Sequence, residues 1–257
     1  MSTSSRMPVV FVGHGSPMNA LGGPNAQVWR DVAASLPRPK AILAISAHWR
    51  LDETAVTAMA APKTIHDFGG FPQPLFDMQY PAPGDASLAA RTAELLAPMA
   101  VRADQDWGLD HGTWSVLAHM YPDADVPVVQ LAMDLSHPLP AHYDRGKRLA
   151  PLRDEGVLIL GSGDVVHNLR AAVRAENAAP LAWAQHFHDA VRDRLSAGDH
   201  AALIDPAGLG PAARMAVDEH YLPLLYVLGA SQPGEAVSLF NDHIDLGSIS
   251  MLGARIG

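Results

Sequence analysis

The sequence contains no cysteine. That absence removes disulfide frameworks, thiolate zinc sites, iron–sulfur clusters and thiol nucleophiles together. Positive charge is also scarce. The 18 Lys and Arg stand against 27 Asp and Glu, a net charge of −9 with neutral histidine, which leaves no basic footprint for nucleic acid. Long apolar runs are missing too: Ala41–Ala47 and Leu222–Ala230 fall far short of the ~18 residues that span a bilayer. The N-terminal MSTSSRM lacks the hydrophobic stretch of a signal peptide. The expectation is a soluble cytoplasmic protein with neither a nucleic-acid nor a membrane partner.

What remains has a globular balance, 48% hydrophobic and 18% charged over 257 residues, with no repeat, low-complexity segment or linker to divide it. Val- and Ile-rich runs at Pro8–Gly13, Ala41–Ala47, Ala55–Met59, Val126–Met133 and Val157–Leu160 read as strands. They alternate with helical patterns over Gln27–Leu36, Ala86–Leu96, Trp114–Met120, Tyr143–Leu152, Leu181–Leu195 and Tyr221–Leu228. That alternation predicts an α/β fold, a single catalytic domain over 1–257 with a mixed sheet flanked by helices. Ala236–Phe240 and Ser248–Gly253 are expected as edge strands, and residues 1–7 as flexible. The segment Thr64–Pro83 has no period, and loops of that length in compact domains are usually functional. Its Phe68, Phe71, Phe76 and Tyr80 predict an ordered wall.

Histidine is abundant: 13 residues, about twice an ordinary share. His14 and His48 stand at or just after strand ends, and His167 follows the run that begins at Val157. Ligand sites in open α/β sheets lie beyond the carboxyl ends of strands, so these imidazoles are expected to gather. His220 opens a helical stretch, and His111 sits in GLDHGTW before another. Any one of the five, taken alone, equally fits a loop histidine bonded to local backbone. Competing motifs fail in detail. Pro17 breaks the nucleophile-elbow pattern in GHGSP, and Val166 stands where a dinucleotide loop needs glycine or alanine. His186 and His188 are two apart on a helix, facing different sides, and are expected in solvent. His119, His137, His142, His200 and His243 are read as structural.

The segments GHGSPMNAL, ISAHW, TIHDFGGFPQPLF, QYPAPG, GLDHGTW, GSGDVVHNLR and EHYLPLLYVLGA occur in this order. Together they resemble the 4,5-DOPA extradiol dioxygenase family, of the LigB-like type III extradiol enzymes, from about Val9 to the C-terminal SMLGARIG. The resemblance implies a LigB-like fold and a mononuclear non-haem Fe(II) centre. It implies O2-dependent opening of a catechol ring, beside its two hydroxyls, to a muconic semialdehyde. Matched motif by motif, the metal ligands fall on His14, His48 and His220, and the catalytic histidines on His167 and His111. Better-known LigB-type relatives use two histidines and a glutamate, so Glu219 is the alternative third ligand. Some family members are described with Zn(II), and imidazole suits either metal.

Three ligands on one face leave positions for a bidentate catecholate and O2. Imidazole titrates near neutrality, which suits a residue that must take a catechol proton and return it; that role falls to His167. His111 would bond the substrate hydroxyl or the oxygen. Asp110 either orients an imidazole or caps a helix. For substrate binding, His66 and Asp67 are expected at a polar tail and Phe68 against the ring. Arg170 is expected at a carboxylate, with a structural bond to a backbone carbonyl as its alternative. Two other readings stay open: a zinc-dependent hydrolase on the same histidines, and a non-enzymatic Memo-like binding protein.

Overall fold

The computed structural model describes residues 6–175 and 178–257. Ten strands are present among them: β1 (Val9–Gly13), β2 (Ala41–Leu51), β3 (Ala55–Thr57), β4 (Arg102–Asp104), β5 (Val128–Asp134), β6 (Val157–Gly163), β7 (Val237–Phe240), β8 (Ile244–Asp245), β9 (Ile249–Ser250) and β10 (Gly253–Ile256). Eight join one sheet in the order β4-β3-β5-β2-β6-β1-β10-β7, and β8 pairs with β9 apart from it. The centre β5-β2-β6-β1 is parallel. Antiparallel partners extend it, β10 and β7 beyond β1 and β3 beyond β5. The expected mixed α/β sheet is thus present.

Strands covered on both faces must be apolar throughout, which is why VVFVG and AILAISA read as unbroken runs. Neighbouring residues point to opposite faces. Phe11, Leu43, Ile45 and Ile159 pack with helices Ala86–Leu96, Leu139–Leu149, Ala182–Ala197 and Leu222–Ala230. Val10, Val12, Ile42 and Leu160 pack with helices Pro24–Ser35 and His111–Met120. Leu222–Ala230 is buried at every position, as an all-apolar helix requires. Among the described residues no helix is long and apolar enough to cross a membrane.

Departures from the sequence expectation have local causes. The expected helix Tyr143–Leu152 is two, Leu139–Leu149 and Pro151–Asp154, because Pro151 has no N–H to continue the first. Strand β2 runs four residues past Ala47. The expected strand Ser248–Gly253 divides into β9 and the start of β10, which closes on β1. Thr64–Pro83 contains one short helix, Gln73–Phe76, and its Phe68 and Phe71 pack against the second core layer.

Of the N-terminal stretch expected to be flexible, residues 1–5 lie outside the described residues. Arg6 pairs with Asp154 at 2.7 Å, and Met7 is buried. Met7 is held by Arg153, whose Nε donates to the Met7 carbonyl at 2.7 Å. The same buried guanidinium reaches the Ala230 carbonyl at 2.9 Å and Glu235 at 2.7 Å, tying chain start, helix end and closing loop together. Arg153→Leu strands two buried carbonyls and is expected to cost about 2–4 kcal/mol. Urea unfolding would register this as a lower midpoint at unchanged slope; an unchanged midpoint would mean the guanidinium holds nothing in place.

Candidate metal centre

Strands β2, β6 and β1 are parallel neighbours, so their carboxyl ends open on one side. His14 follows β1, and its N–H donates to the Gly163 carbonyl at the end of β6 at 3.1 Å. In β2, Ile45 pairs with Leu131 and Arg50 with Met133. Ser46, Ala47, His48 and Trp49 therefore intervene where β5 has only Ala132, and such irregularities re-aim side chains. His48 is aimed at His14. Residue 163 is glycine of necessity, because a Cβ there would run into the His220 carbonyl.

His220 arrives from a single turn, Glu219–Tyr221, capped by Asp218, whose Oδ1 accepts the His220 N–H at 2.8 Å. His111 is the first residue of its helix. Asp110 caps that helix by accepting from Thr113 N at 3.2 Å, and its other oxygen accepts from Gln130. Asp110 is therefore the helix cap, with its carboxyl pushed up to about 6 by burial and then by the Asp67 charge.

The ring centroids of His14, His48 and His220 form a triangle with sides of 5.1, 5.1 and 5.4 Å. An imidazole bound at ~2.1 Å has its centroid about 3.2 Å from the ion, so rings sharing one ion at 90–109° stand about 4.5–5.3 Å apart. The Nε2 atoms of His14 and His48 are 3.2 Å apart, also the spacing of two ligands on one ion. His48 and His111 are closer, at 3.9 Å between centroids. His167 stacks on His220 at 3.5 Å with 15° between planes, so their in-plane lone pairs run parallel rather than converging.

Donor accounting fixes the His14 proton. The single Ser162 hydroxyl proton goes to the Gly112 carbonyl, so Ser162 Oγ accepts from His14 Nδ1 at 3.0 Å and leaves Nε2 bare. Asp67 Oδ2 lies 3.3 Å from His48 Nδ1, and Asp218 Oδ1 lies 3.3 Å from His220 Nδ1. A carboxylate beside Nδ1 keeps the proton there and frees Nε2 for a metal. These are charge contacts without hydrogen-bond alignment: both His220 ring nitrogens, His111 Nδ1 and Asp164 Oδ2 are buried with no partner. Unmatched buried polar atoms are few in folded proteins, and these four lie together at the histidine cluster. Burial and the neighbouring imidazoles push the pKa values of His14 and His48 far down, so both are neutral donors at pH 7.

The donor atoms fall into three overlapping groups, each within 4.8 Å: His14–His48–His111, His14–Asp164–His220 and His167–Asp218–His220. Histidine nitrogens and carboxylates of this kind fit a divalent transition metal. Asp164 is fully buried, accepts Gly15 N–H at 3.0 Å and presents Oδ2 at 3.6 Å from His14 Nε2. Gly15 itself has φ of +59°, the left-handed region glycine tolerates. For Asp218, burial works to raise the carboxyl pKa, but the His167 hydrogen bond and the adjoining His220 outweigh it and hold the pKa well below the usual carboxylate range.

The cluster forms the floor of a cavity of about 720 Å³. Of the residues expected from sequence, His14, His48, His111, His167, His220, Asp67 and Phe68 line it. His66 and Arg170 do not. His66 Nε2 donates to the Met78 carbonyl at 3.0 Å and its ring packs on Trp114; the aperiodic loop turns it away from the cavity. Arg170 is exposed, and Arg174 lines the rim instead. Asp67, expected at a substrate tail, faces the imidazoles: Oδ1 accepts His111 N–H at 2.9 Å and Oδ2 is 3.0 Å from His111 Nδ1. Glu219 pairs with Arg50, whereas the neighbouring His220 ring joins the cluster. His188, expected in solvent, is buried between Ser250 Oγ (2.9 Å) and Asp242 Oδ1 (2.6 Å) under the β8–β9 hairpin; His186 is exposed. Ser162, Asp164 and Asp218 escaped sequence reasoning. Asp218 had a usable signal, an acidic residue just before a helical turn.

Against known proteins, residues 10–251 match the family model described as the catalytic LigB subunit of aromatic ring-opening dioxygenase. The chain belongs to this LigB family of ring-opening dioxygenases. It is 48% identical to the 4,5-DOPA dioxygenase extradiol of Escherichia coli (strain K12), covering 99% of this chain and 96% of that one. It is 37% identical to the Beta vulgaris protein of the same name, over 93% and 92% of the two chains. The crystal structure of an uncharacterized E. coli K12 protein superposes with a TM-score of 0.85 at 42% identity, covering 98% of this chain and all of the other.

Gly112 tests the packing of the cluster. A Cβ there would lie 2.5 Å from Ser46 Oγ, 3.0 Å from His48 Cδ2 and 3.3 Å from His14 Cε1. Gly112→Ala is expected to lower Zn(II) affinity at least ~10-fold by displacing the rings, with circular dichroism unchanged. Full affinity in that variant would mean the site is looser than these distances imply.

Proposed function

We propose that this protein opens a catechol ring with O2 at a single divalent metal held by His14, His48 and His220, with Fe(II) as the working ion. The observation that carries this reading is the convergence of the His14, His48 and His220 rings, with centroids 5.1–5.4 Å apart and their Nε2 atoms on one small volume. Those of His14 and His48 approach to 3.2 Å, the spacing of two ligands on one ion; without an ion, a proton on His48 Nε2 would bridge them. Bound there, Fe(II) would supply Lewis acidity toward the catechol hydroxyls and redox chemistry toward O2. Zn(II) fits the same donors but has no redox chemistry, so it would load without turnover.

The chain's own groups supply the rest. His167 Nδ1–H donates a hydrogen bond to Asp218 Oδ2 at 2.9 Å, and its Nε2 is the proposed acceptor of a catechol hydroxyl proton. His111, on the same cavity wall, hydrogen-bonds a substrate or O2 oxygen. Phe68, Phe71, Leu246 and Ile249 give the cavity its apolar sides and hold the aromatic ring out of water. At the rim Arg50 is already paired with Glu219. Arg174 has no carboxylate within salt-bridge distance among the described residues, and we assign it the carboxylate contact first expected at Arg170. DOPA, named for the relatives, carries such a carboxylate. The product is a muconic semialdehyde.

Protein loaded anaerobically with Fe(II) is expected to consume one O2 per catechol and form a yellow product. DOPA and caffeate should rank above plain catechol because they carry a carboxylate. In the same assay His167→Ala should keep its iron and lose about 10²–10⁴-fold in kcat, while His14→Ala and His48→Ala lose the metal. No uptake on any catechol, with iron demonstrably bound, would overturn the reading. O2-independent hydrolysis by the zinc form would replace it.

A further inference from the structure

Asp218 looks like an ordinary cap, since its Oδ1 accepts the His220 N–H and begins the turn. A cap needs one oxygen. The second, Oδ2, is spent on His167 Nδ1 at 2.9 Å, while Oδ1 also stands 3.3 Å from His220 Nδ1. One carboxylate therefore sits on the Nδ1 side of two imidazoles stacked 3.5 Å apart and nearly parallel. Their Nε2 edges consequently face the same way, into the cavity that both residues line. Stacking alone would let either ring flip about its χ2 axis; a carboxylate on the far edge opposes the flip in both.

We propose that Asp218 is a positioning residue that couples metal binding to proton transfer, by fixing the metal ligand His220 and the proton-accepting His167 through one carboxylate. This inference rests on the roles proposed above for those two histidines. It makes the two functions inseparable at one side chain: loosening Asp218 disturbs the metal and the proton acceptor together. His167 is then a selected tautomer, with Nδ1 protonated and Nε2 the base, rather than a freely rotating ring.

The discriminating variant is Asp218→Asn. Asparagine caps a helix as well as aspartate and keeps an acceptor for His220 N–H, but it puts an NH2 group against His167 Nδ1. We expect an unchanged thermal midpoint, a Zn(II) affinity about 10- to 100-fold weaker, and a kcat with saturating Fe(II) at least ~10-fold lower at near-constant KM. In a His167→Ala background the same substitution should weaken Zn(II) binding as before yet leave the residual kcat unaltered. Nitrogen-15 NMR of the zinc-loaded protein should show His167 protonated at Nδ1, and a change of tautomer in Asp218→Asn. The NMR and Zn(II) measurements do not depend on turnover, so they judge the positioning role even if the dioxygenase reading fails. Unaltered metal affinity, an unaltered His167 tautomer, or an equal kcat loss with and without His167 would each overturn the proposal.

Discussion

The imidazoles of His14, His48 and His220 converge on one small volume with too few hydrogen-bond partners, and the rest of the structure is arranged around that cost. Left alone, the His14 and His48 Nε2 atoms at 3.2 Å have only one proton between them to share, and His220 has no partner at either nitrogen. Unsatisfied buried polar atoms cost about 1–3 kcal/mol each. A metal ion on the neutral imidazoles would offset that penalty. Burial, by holding His14 and His48 neutral, means they need not shed protons before binding it.

The sheet makes this arrangement possible. Only adjacent parallel strands deliver several chain ends to one side, and β1, β6 and β2 do so with glycine and serine at the end of the middle strand. Small residues there let His14, from β1, and His48, from β2, meet above β6. The oxygens behind the cluster are then shared out: Ser162 serves His14, Asp67 serves His48 and His111, and Asp218 serves His220 and His167. Each carboxylate thus stands behind one proposed ligand and one proposed catalytic histidine.

Much of this was legible in the sequence. Strands buried on both faces appear as apolar runs, so β1, β5 and β6 and the start of β2 could be placed, and with them the side of the sheet where His14 and His48 emerge. The helix Ala86–Leu96 was readable to the residue because Asp85 marks its start. What failed to show lay in irregular chain. The slipped register that aims His48, though not His48 itself, is encoded by no period, and His66 and Arg170 lie in aperiodic segments where neighbours in sequence point to unrelated places. Arg174, four residues on from Arg170, reaches the cavity instead. His188 is polar, yet the β8–β9 hairpin buries it. The shared carboxylates were hidden for another reason: Asp218 and Asp164 act through contacts set by tertiary packing, and an aspartate beside a turn looks the same in sequence whether it caps or positions.

The central claim is that one ion belongs to His14, His48 and His220 rather than to the overlapping groups that include His111, Asp164 or His167. Anomalous diffraction from crystals soaked with Zn(II) or, without oxygen, Fe(II) tests it most directly. One strong peak is expected about 2.1 Å from the Nε2 atoms of those three histidines, with His111 and His167 beyond bonding distance. A peak bound instead between His167, Asp218 and His220, or one that takes His111 in place of His220, would contradict it.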